Sequence, residues 1–328
     1  MLPTAGVPFL TPLISRIRQA GITHVVLGTS YQAAVFENHF GDGAALGVEL
    51  EYVVEAEPLG TGGGIRNVAE RLRGETVLVF NGDNLIGVDL AAFLQTHHGS
   101  GADVTLCLHR VADPRAYGCV PTEPGGRVVA FLEKDPHPVT DQINAGLYAF
   151  RRSVIDSIPT GRAVSVERET FPDLLEQGAL VFSHLNEGYW RDFGTPGDFV
   201  AGSADLVRGV APSAAVETTG ERLVLPGARL DPTAVVVGGT TVGRDAVIEG
   251  DVLVEGSVIF DRARIATGAV VRRSVVGAGA VVGPRTFLED AVIGDRAVLG
   301  ADLELRAGAR VWPDAHLADG SIRFSADV

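Results

Sequence analysis

The stretch Val77-Leu78-Val79-Phe80-Asn81-Gly82-Asp83 decides how the first part of this chain is interpreted. Four apolar residues followed by Asn-Gly-Asp predict a buried parallel strand that ends at a carboxylate. Ligands of open α/β sheets bind beyond the carboxyl ends of the strands, and Gly82 lets a ligand approach the backbone closely. A carboxylate at such an edge suits Mg²⁺, which takes oxygen ligands and bridges to substrate phosphates. The plainer alternative is a Gly-Asp pair that only forms a turn or caps the next helix.

Apolar patterns on both sides of this stretch alternate between helical and strand spacing. They predict helices at 9–20, 31–40, 88–96, 166–177 and 197–207, and strands at 24–27, 48–54, 103–108, 117–120, 127–134 and 143–150. Strands alternating with helices predict a parallel sheet that is covered by helices on both faces.

A glycine-rich run lies between two of these elements, Glu57-Pro58-Leu59-Gly60-Thr61-Gly62-Gly63-Gly64-Ile65-Arg66. We expect a turn followed by a helix from about Gly64 to Leu72, a shape that binds anions or nucleotides on backbone N–H groups. It is not the dinucleotide fingerprint, because Ile65 occupies a position that requires glycine or alanine, and no Gly-Lys-Ser/Thr of a P-loop follows. A flexible helix entry is the alternative.

The composition limits the classes of partner. A length of 328 residues suggests two or more domains, and 46% hydrophobic residues suffice for a sizeable core. A net charge of −14 argues against nucleic acid or an anionic membrane as partner. There is no apolar run of membrane-spanning length and no signal-peptide pattern, and the two cysteines lack metal-ligand spacing. We therefore expect a cytoplasmic protein.

Lys134 is the only lysine among 27 basic residues. A base composition that favours arginine codons explains the arginines, but it does not explain the remaining lysine. Lysine is a compact point charge and arginine a wide planar fork, so the two are not interchangeable in a tight site. Lys134 is thus a candidate site residue, and the alternative is that it survived by chance.

The last hundred residues have a different spacing of apolar residues. Aliphatic residues recur every six positions, with one slip, at Val242, Ile248, Val254, Val276, Val282, Leu288, Ile293, Leu299, Leu305 and Val311. A six-residue period predicts a parallel β-helix rather than a β-sandwich, which would show period two. We expect a first domain at 1–207, a linker rich in Ala, Pro, Ser and Thr at 208–223, and the β-helix at 224–328.

An α/β domain with these motifs before hexapeptide repeats resembles the sugar-1-phosphate nucleotidylyltransferases, most of all their mannose-1-phosphate guanylyltransferase branch. The motifs that carry the resemblance are Pro58-Leu59-Gly60-Thr61-Gly62-Gly63, Phe80-Asn81-Gly82-Asp83, Phe131-Leu132-Glu133-Lys134, Asn144-Ala145-Gly146 and Trp190-Arg191-Asp192-Phe193-Gly194-Thr195-Pro196. The resemblance implies a Rossmann-like nucleotidyltransferase domain with a mixed, mainly parallel sheet, followed by a left-handed parallel β-helix.

The resemblance also implies a site. Gly60 and Thr61 would lie near base and ribose, Gly118, Glu133 and Asn144 would contact the sugar, Lys134 would hold its phosphate, and Asp83 and Asp192 would bind Mg²⁺. The sugar-1-phosphate would attack the α-phosphorus of a nucleoside triphosphate, GTP and mannose-1-phosphate being favoured, and pyrophosphate would leave. Such a reaction needs positioning and charge neutralisation and no protein nucleophile. We also expect self-association through the β-helix.

One feature departs from the family pattern. The family begins with a strand and a loop, Gly-Gly-x-Gly-Thr-Arg-Leu, followed by Pro-Lys-Pro, whereas this sequence starts at Met1-Leu2-Pro3. Either the true start lies upstream or the chain is truncated, and its activity as written depends on which. The alternatives to an enzyme making an NDP-sugar are a catalytically weak regulatory paralogue and a hexapeptide acyltransferase. The last would need a catalytic histidine, for which the repeats offer only His316.

Overall fold

The chain forms two compact units in a computed structural model. The described residues are 2–29, 32–133, 136–216 and 220–323. One unit is Leu13–Trp190, and the other joins Leu2–Pro12 to the chain from Arg191 onward. The domain boundaries expected from composition stay a prediction, because compact units are defined by packing and not by residue type. Lys134 lies outside the described residues.

Helices and strands alternate through the first two hundred residues. The helices are α1 (Leu10–Gln19), α2 (Ala33–Phe40), α3 (Gly60–Asn67), α4 (Leu90–Ser100), α5 (Arg152–Ser157), α6 (Phe171–Glu176) and α7 (Pro196–Arg208). The strands are β1 (Pro3–Thr4), β2 (Val7–Pro8), β3 (His24–Thr29), β4 (Glu49–Val54), β5 (Thr76–Phe80), β6 (Asn84–Ile86), β7 (Val104–Arg110), β8 (Gly118–Cys119), β9 (Leu132–Glu133), β10 (Gln142–Arg151), β11 (Val181–Leu185) and β12 (Trp190–Asp192). Across the described ranges, none of the helices has the length and apolar character needed to cross a bilayer.

The central sheet of the first unit is mixed. Its strands follow the order β11-β7-β10-β8-β9, and β5 pairs with β10. Strand β11 runs parallel to β7, whereas β10 runs antiparallel to β5, β7 and β8. The expected mixed α/β fold is confirmed, but the parallel direction expected for β5 is wrong for its pairing with β10. An apolar run indicates burial on both faces of a strand and does not encode the direction of its neighbour.

A smaller sheet in the same unit consists of β3 and β4. The two strands run parallel over their full length, from His24 opposite Glu49 to Thr29 opposite Val54. Helix α2 lies between them in sequence, as a parallel pair requires, because two parallel strands need a crossover connection.

Aromatic packing fixes the strand that carries much of the site. On β10, Tyr148 and Phe150 are buried, and their rings lie 5.3 and 6.1 Å from that of Phe171. Phe171 opens α6, which follows a π-helical turn at Val166–Thr170. The helix expected at 166–177 is thus present from Val166 to Glu176, but its first turn is π-helical, and this turn lies against the candidate site described below.

The second unit contains a parallel β-helix with three sheets. Its strands are β13 (Arg222–Val224), β14 (Arg229–Leu230), β15 (Val235–Val237), β16 (Thr240–Val242), β17 (Val247–Ile248), β18 (Leu253–Glu255), β19 (Val258–Ile259), β20 (Arg264–Ile265), β21 (Val270–Arg272), β22 (Val275–Val276), β23 (Val281–Val282), β24 (Phe287–Glu289), β25 (Val292–Ile293), β26 (Val298–Leu299), β27 (Glu304–Leu305), β28 (Arg310–Val311) and β29 (His316–Leu317). The aliphatic residues expected inside belong to its core, with Val311 partly buried. The parallel β-helix is confirmed, and its left-handed sense stays a prediction.

The slip in the six-residue period comes from the length of one coil. Val242 pairs with Ile259, Ile259 with Val276 and Val276 with Ile293. Each coil therefore takes 17 residues here, the separation of the paired Arg273 and Asp290. In these three coils two of the sides take six residues and the third takes five, so the six-residue repeat shifts by one residue in each of them. The first and last coils, from Val224 to Val242 and from Ile293 to Val311, take 18 residues and show no shift.

Helix α7 belongs to the second unit because its apolar face packs on the β-helix. Phe199 and Val200 form a buried cluster with Val258 and Val275 on the outer face of one sheet. Burying such side chains stabilises the unit by about 1.5–3 kcal/mol each. Composition cannot reveal this packing, because the linker after α7 resembles an exposed loop.

Candidate active site

The structure describes most of the predicted site residues, and they fall in both units. Gly60, Thr61, Asp83, Gly118, Glu133 and Asn144 belong to the first unit, and Asp192 belongs to the second. The metal site predicted to join Asp83 and Asp192 therefore stays a prediction.

The glycine-rich run is itself helical. Helix α3 begins at Gly60, so the expected turn with a helix from Gly64 was wrong. The N–H groups of Gly62 and Gly63 donate to Val164 O, with N···O distances of 2.8 and 3.2 Å. A backbone carbonyl thus caps the N–H groups that were expected to bind an anion, and it offsets the low helix propensity of glycine.

The hydroxyl of Thr61 joins this helix to the π-helical turn. Thr61 Oγ1 donates to Glu167 Oε2 at 2.8 Å and accepts from Val166 N at 2.9 Å. Ser165 Oγ donates to the same oxygen of Glu167 at 2.9 Å. Glu167 and Ser165 are therefore direct neighbours of a predicted site residue, and the sequence did not single them out.

A break in the regular course of β10 places Asn144 beside Tyr148. The register shifts between these two residues, and Gly146 between them has φ +74°. Asn144 Oδ1 accepts from Gly146 N at 3.1 Å, and Asn144 Nδ2 donates to the Tyr148 hydroxyl oxygen at 2.7 Å. The Asn-Ala-Gly motif thus encodes a bulge, which re-aims an amide toward a phenol.

The loop after β5 packs against this bulge. Asn81 N donates to Gly146 O at 2.7 Å, and Asn84 Nδ2 donates to Ala145 O at 3.0 Å. Asp83 lies between these two asparagines and is exposed. The two fixed asparagines hold the loop, so a carboxylate is presented at the end of the strand as the sequence predicted.

Tyr148 is a neutral hydroxyl at the centre of this cluster. Burial raises its pKa above the usual range, and the charges of Glu167 and Glu133 raise it further. Hydrogen bonds from Asn144 and Asn81 lower the pKa of Tyr148, but the effect of burial is larger. The group therefore stays protonated near neutral pH, where it donates and accepts hydrogen bonds and does not act as a base.

Gly118 and Glu133 face each other across β8 and β9. They are directly paired in the antiparallel register, and a Cβ atom on Gly118 would lie 2.7 Å from Glu133 Oε2. It would also lie 3.0 Å from Cε1 of Phe131. A side chain at this position would therefore displace the Glu133 carboxylate. The residues expected to contact the sugar, Gly118, Glu133 and Asn144, lie on the neighbouring strands β8, β9 and β10, and their role in binding stays a prediction.

One group of possible metal ligands lies elsewhere in the described part of the chain, at His24, Glu49 and Glu51. The carboxylate of Glu49 takes two hydrogen bonds from Arg73, and Glu51 pairs with His24, Arg71 and Arg73. Arg71 and Arg73 already neutralise the carboxylates, so the group is an ion-pair network around β3 and β4.

Sequence reasoning missed Tyr148 and Glu167 for different reasons. Tyr148 belongs to an apolar strand and looks like core, although Gly146 signals a bulge, since glycine inside a strand often marks one. Glu167 looks like the polar face of a helix, and no local pattern separates it from Glu169. Only the fold brings Glu167 to Thr61, 106 residues away.

Comparison with known proteins agrees with this architecture. The nucleotidyl transferase family profile matches residues 1–209, and the GMPPB C-terminal domain profile matches residues 218–322. Mannose-1-phosphate guanylyltransferase of Mycobacterium tuberculosis is 62% identical over 330 residues, which cover 100% of this chain and 92% of that protein. Mannose-1-phosphate guanylyltransferase 1 of Arabidopsis thaliana is 30% identical over 269 residues, which cover 80% of this chain and 74% of that protein.

A solved structure supports the same fold over 61% of the chain. HddC from Yersinia pseudotuberculosis aligns with a TM-score of 0.54 and 26% identity, over 61% of this chain and 85% of that one. The relatives are named as transferases and give no support to the regulatory alternative. A nucleotidyl transferase profile over more than half of the chain and a whole-length relative together establish that the chain belongs to the sugar-1-phosphate nucleotidyltransferase family.

Proposed function

We propose that this chain transfers GMP from GTP to mannose-1-phosphate, giving GDP-mannose and pyrophosphate. The observation that carries the proposal is the 62% identity to the Mycobacterium tuberculosis mannose-1-phosphate guanylyltransferase over the whole chain. The cluster around Tyr148 supports it, because that cluster offers the donors and acceptors that a sugar needs.

The sugar ring binds against Gly118, Glu133 and Asn144, and the buried Tyr148 holds the Asn144 amide from behind. An amide and a carboxylate supply both donors and acceptors, which match the hydroxyl groups of a hexose. The absence of a side chain on Gly118 leaves Glu133 Oε2 close to the backbone, and a methyl group there would displace that carboxylate. The bulge at Gly146 fixes the direction of the Asn144 amide.

The reaction is attack by an oxygen of the sugar phosphate on the α-phosphorus of GTP, with pyrophosphate as the leaving group. Tyr148 stays neutral and orients the Asn144 amide without taking part in the reaction. The sugar phosphate ionises without help, so no protein base is needed, and catalysis consists of positioning and charge neutralisation. Lys134 holds the sugar phosphate as a compact cation.

We assign the metal role to Asp83 and Asp192. Asp83 is an exposed carboxylate at the end of β5, and Asp192 ends β12, so each offers the oxygen donors that suit Mg²⁺. Bound Mg²⁺ neutralises charge on the phosphates. We further propose that the protein works in the cytoplasm and self-associates through its β-helix, which sedimentation of the purified chain would test.

The proposal is tested by following pyrophosphate release from GTP, ATP, UTP, CTP and dTTP with mannose-1-phosphate or glucose-1-phosphate. Both the 328-residue chain and a version extended by the upstream reading frame are assayed. We expect kcat/KM for GTP with mannose-1-phosphate to exceed that of other pairs at least about tenfold, which is about 1.4 kcal/mol in transition-state binding. Absence of GDP-mannose with both proteins, or a preference for another nucleotide, contradicts the proposal.

A further inference from the structure

The glycine-rich segment is packed against another part of the chain. Val164 N donates to Leu59 O at 2.8 Å, and Val164 O accepts from the first turn of α3. A Cβ atom on Gly60 would lie 2.7 Å from Val164 O, and one on Gly63 would lie 3.0 Å from Arg162 O. Because these glycines have no side chain, the backbone at 162–164 can lie directly against the first turn of α3.

The side chain of Thr61 also forms hydrogen bonds with this part of the chain, at Val166 and Glu167. A threonine hydroxyl has one proton to donate and two lone pairs. The proton goes to Glu167 Oε2, and one lone pair takes the N–H of Val166. Donation to a bound nucleotide would break the bond to Glu167, which is charge-assisted and so stronger than a neutral hydrogen bond.

The carboxylate of Glu167 completes the connection. It accepts from both Thr61 and Ser165, and Ser165 Oγ also accepts from Arg168 N at 3.2 Å. The carboxylate thus ties α3 to the π-helical turn at Val166–Thr170, which leads to the buried Phe171. Side-chain and backbone hydrogen bonds together fix segment 59–63 against residues 162–167.

We propose that Thr61 and Glu167 are a positioning pair, which holds segment 59–63 in its nucleotide-binding shape without a hydrogen bond from Thr61 to the nucleotide. This inference rests on the proposed function for the ligand, GTP. It assigns Thr61 a role different from the direct contact that family resemblance implies. The nucleotide binds to segment 59–63, whose conformation depends on the pair. Glu167 does not contact the nucleotide and affects its binding only through Thr61.

The test compares Thr61→Val, Thr61→Ser, Glu167→Ala and the Thr61→Val/Glu167→Ala double variant in the full chain. Amide hydrogen exchange at Gly62 and Gly63 is measured without ligand. Loss of one charge-assisted hydrogen bond should speed this exchange about tenfold in Thr61→Val and in Glu167→Ala. Thr61→Ser keeps the hydroxyl and should restore the wild-type rate.

The functional readouts are the calorimetric Kd for GTP and the steady-state constants. We expect Kd and KM for GTP to rise about tenfold in each single variant, with kcat and the KM for sugar-1-phosphate within about threefold of wild type. The double variant should be no worse than Glu167→Ala, because both changes remove one interaction. Thr267→Val is the matched control, since Thr267 Oγ1 makes a similar bond to Glu249 Oε2 on the β-helix.

Two results would contradict the proposal that Thr61 and Glu167 position segment 59–63. One is a Thr61→Val effect on GTP affinity that is as large in the Glu167→Ala background as in wild type, which would mean direct contact with the nucleotide. The other is exchange at Gly62 and Gly63 that stays at the wild-type rate. A wild-type chain that binds GTP but forms no GDP-mannose would contradict the proposed function alone, and the exchange and Kd data would still decide on the pair.

Discussion

Asn144 Nδ2 donates a hydrogen bond to the Tyr148 hydroxyl oxygen at 2.7 Å, although both residues belong to strand β10. In a regular strand, residues four positions apart are separated by roughly 13 Å. The register shift and the positive φ of Gly146 remove this separation. A single irregularity in a buried strand therefore builds the centre of the site, and the strands on either side keep it in place.

The first prediction is that Gly146→Ala damages both fold and sugar binding. A methyl group there would lie 2.3 Å from Asn84 Nδ2 and 2.8 Å from Asn81 Nδ2, at a φ of +74° that alanine rarely adopts. Backbone strain and the clash together should cost about 2–5 kcal/mol. Urea unfolding measures this loss, and we expect the KM for sugar-1-phosphate to rise.

Gly99→Ala is the control for that substitution. Gly99 lies on α4 and an added Cβ would meet nothing within 4 Å. Alanine in a helix is favoured over glycine by about 0.5–1 kcal/mol, so this variant should gain stability and keep its KM. If Gly146→Ala instead unfolded at the same urea concentration as wild type, the bulge would not constrain the site.

The second prediction concerns the register of the β-helix. Leu288 is fully buried in its core, so Leu288→Asp places a charge without a partner among aliphatic side chains. The cost should be several kcal/mol, on the order of 3–5. Val235→Asp is the matched control, because Val235 is 51% exposed on a β-helix strand. Equal thermal stability of the two variants would show that Leu288 does not face inward.

The β-helix could be predicted because its information is local and repeated. Each inward position is aliphatic, and every coil gives the same signal again, as at Val276, Val282 and Leu288. The coil with Ile259 and Ile265 was overlooked, since a step of five residues separates it from the preceding one. Its residues are as buried as the others.

The candidate site could be predicted only in part. The positions of Gly118, Glu133 and Asn144 follow from motifs, and β8 and the bulge of β10 place them together. The direction of β5 relative to β10 and the contact between Thr61 and Glu167 depend on tertiary pairing. Contacts between residues this far apart in the chain leave no mark on the local sequence, so they are visible only once the chain is folded.

The third prediction is that the protein loses stability in mild acid. His97 is 2% exposed, and its Nδ1 lies 2.9 Å from Thr105 Oγ1. Burial lowers the pKa of His97, and the charges of His98 and Arg151 lower it further, while Asp103 raises it. His97 therefore binds a proton less readily in the folded state than in the unfolded chain, which takes one up below about pH 6.5. Stability from this group is present above pH 6.5 and lost as the pH falls below it.

Urea unfolding at pH 7.5, 6.5 and 5.5 measures the effect. The free energy of unfolding should fall by at most about 1.4 kcal/mol per pH unit for each such histidine. His184, whose pKa burial also lowers, contributes in the same direction. His97→Asn keeps a polar atom near Thr105 but does not titrate there, so its slope should be shallower than that of wild type. Identical slopes would contradict the assignment to His97.

The fourth prediction is that Asp83→Asn impairs catalysis while leaving stability unchanged. Asp83 is exposed and its loop is held by Asn81 and Asn84, so the fold does not depend on its charge. Loss of a carboxylate ligand should raise the Mg²⁺ concentration needed for half-maximal rate and lower kcat/KM on the order of 100-fold. Asp251→Asn, an exposed position on the β-helix, is the control. A Mg²⁺ titration that matches wild type would remove Asp83 from the metal site.

The last prediction is that Lys134→Arg causes a loss of function although the charge is retained. Every other basic residue of the chain is arginine, so a lysine here indicates a need for a compact ammonium. A guanidinium would push the sugar phosphate away from the in-line path, and a displacement of about 1 Å can cost on the order of 100-fold in rate. Pyrophosphate release with GTP, sugar-1-phosphate and Mg²⁺ measures kcat, and thermal unfolding should show no change. The reciprocal control, Arg208→Lys at the exposed end of α7, should keep full activity. If the Lys134→Arg protein turned over as fast as wild type, the lone lysine would be a chance survivor of codon bias and would carry no information about the site.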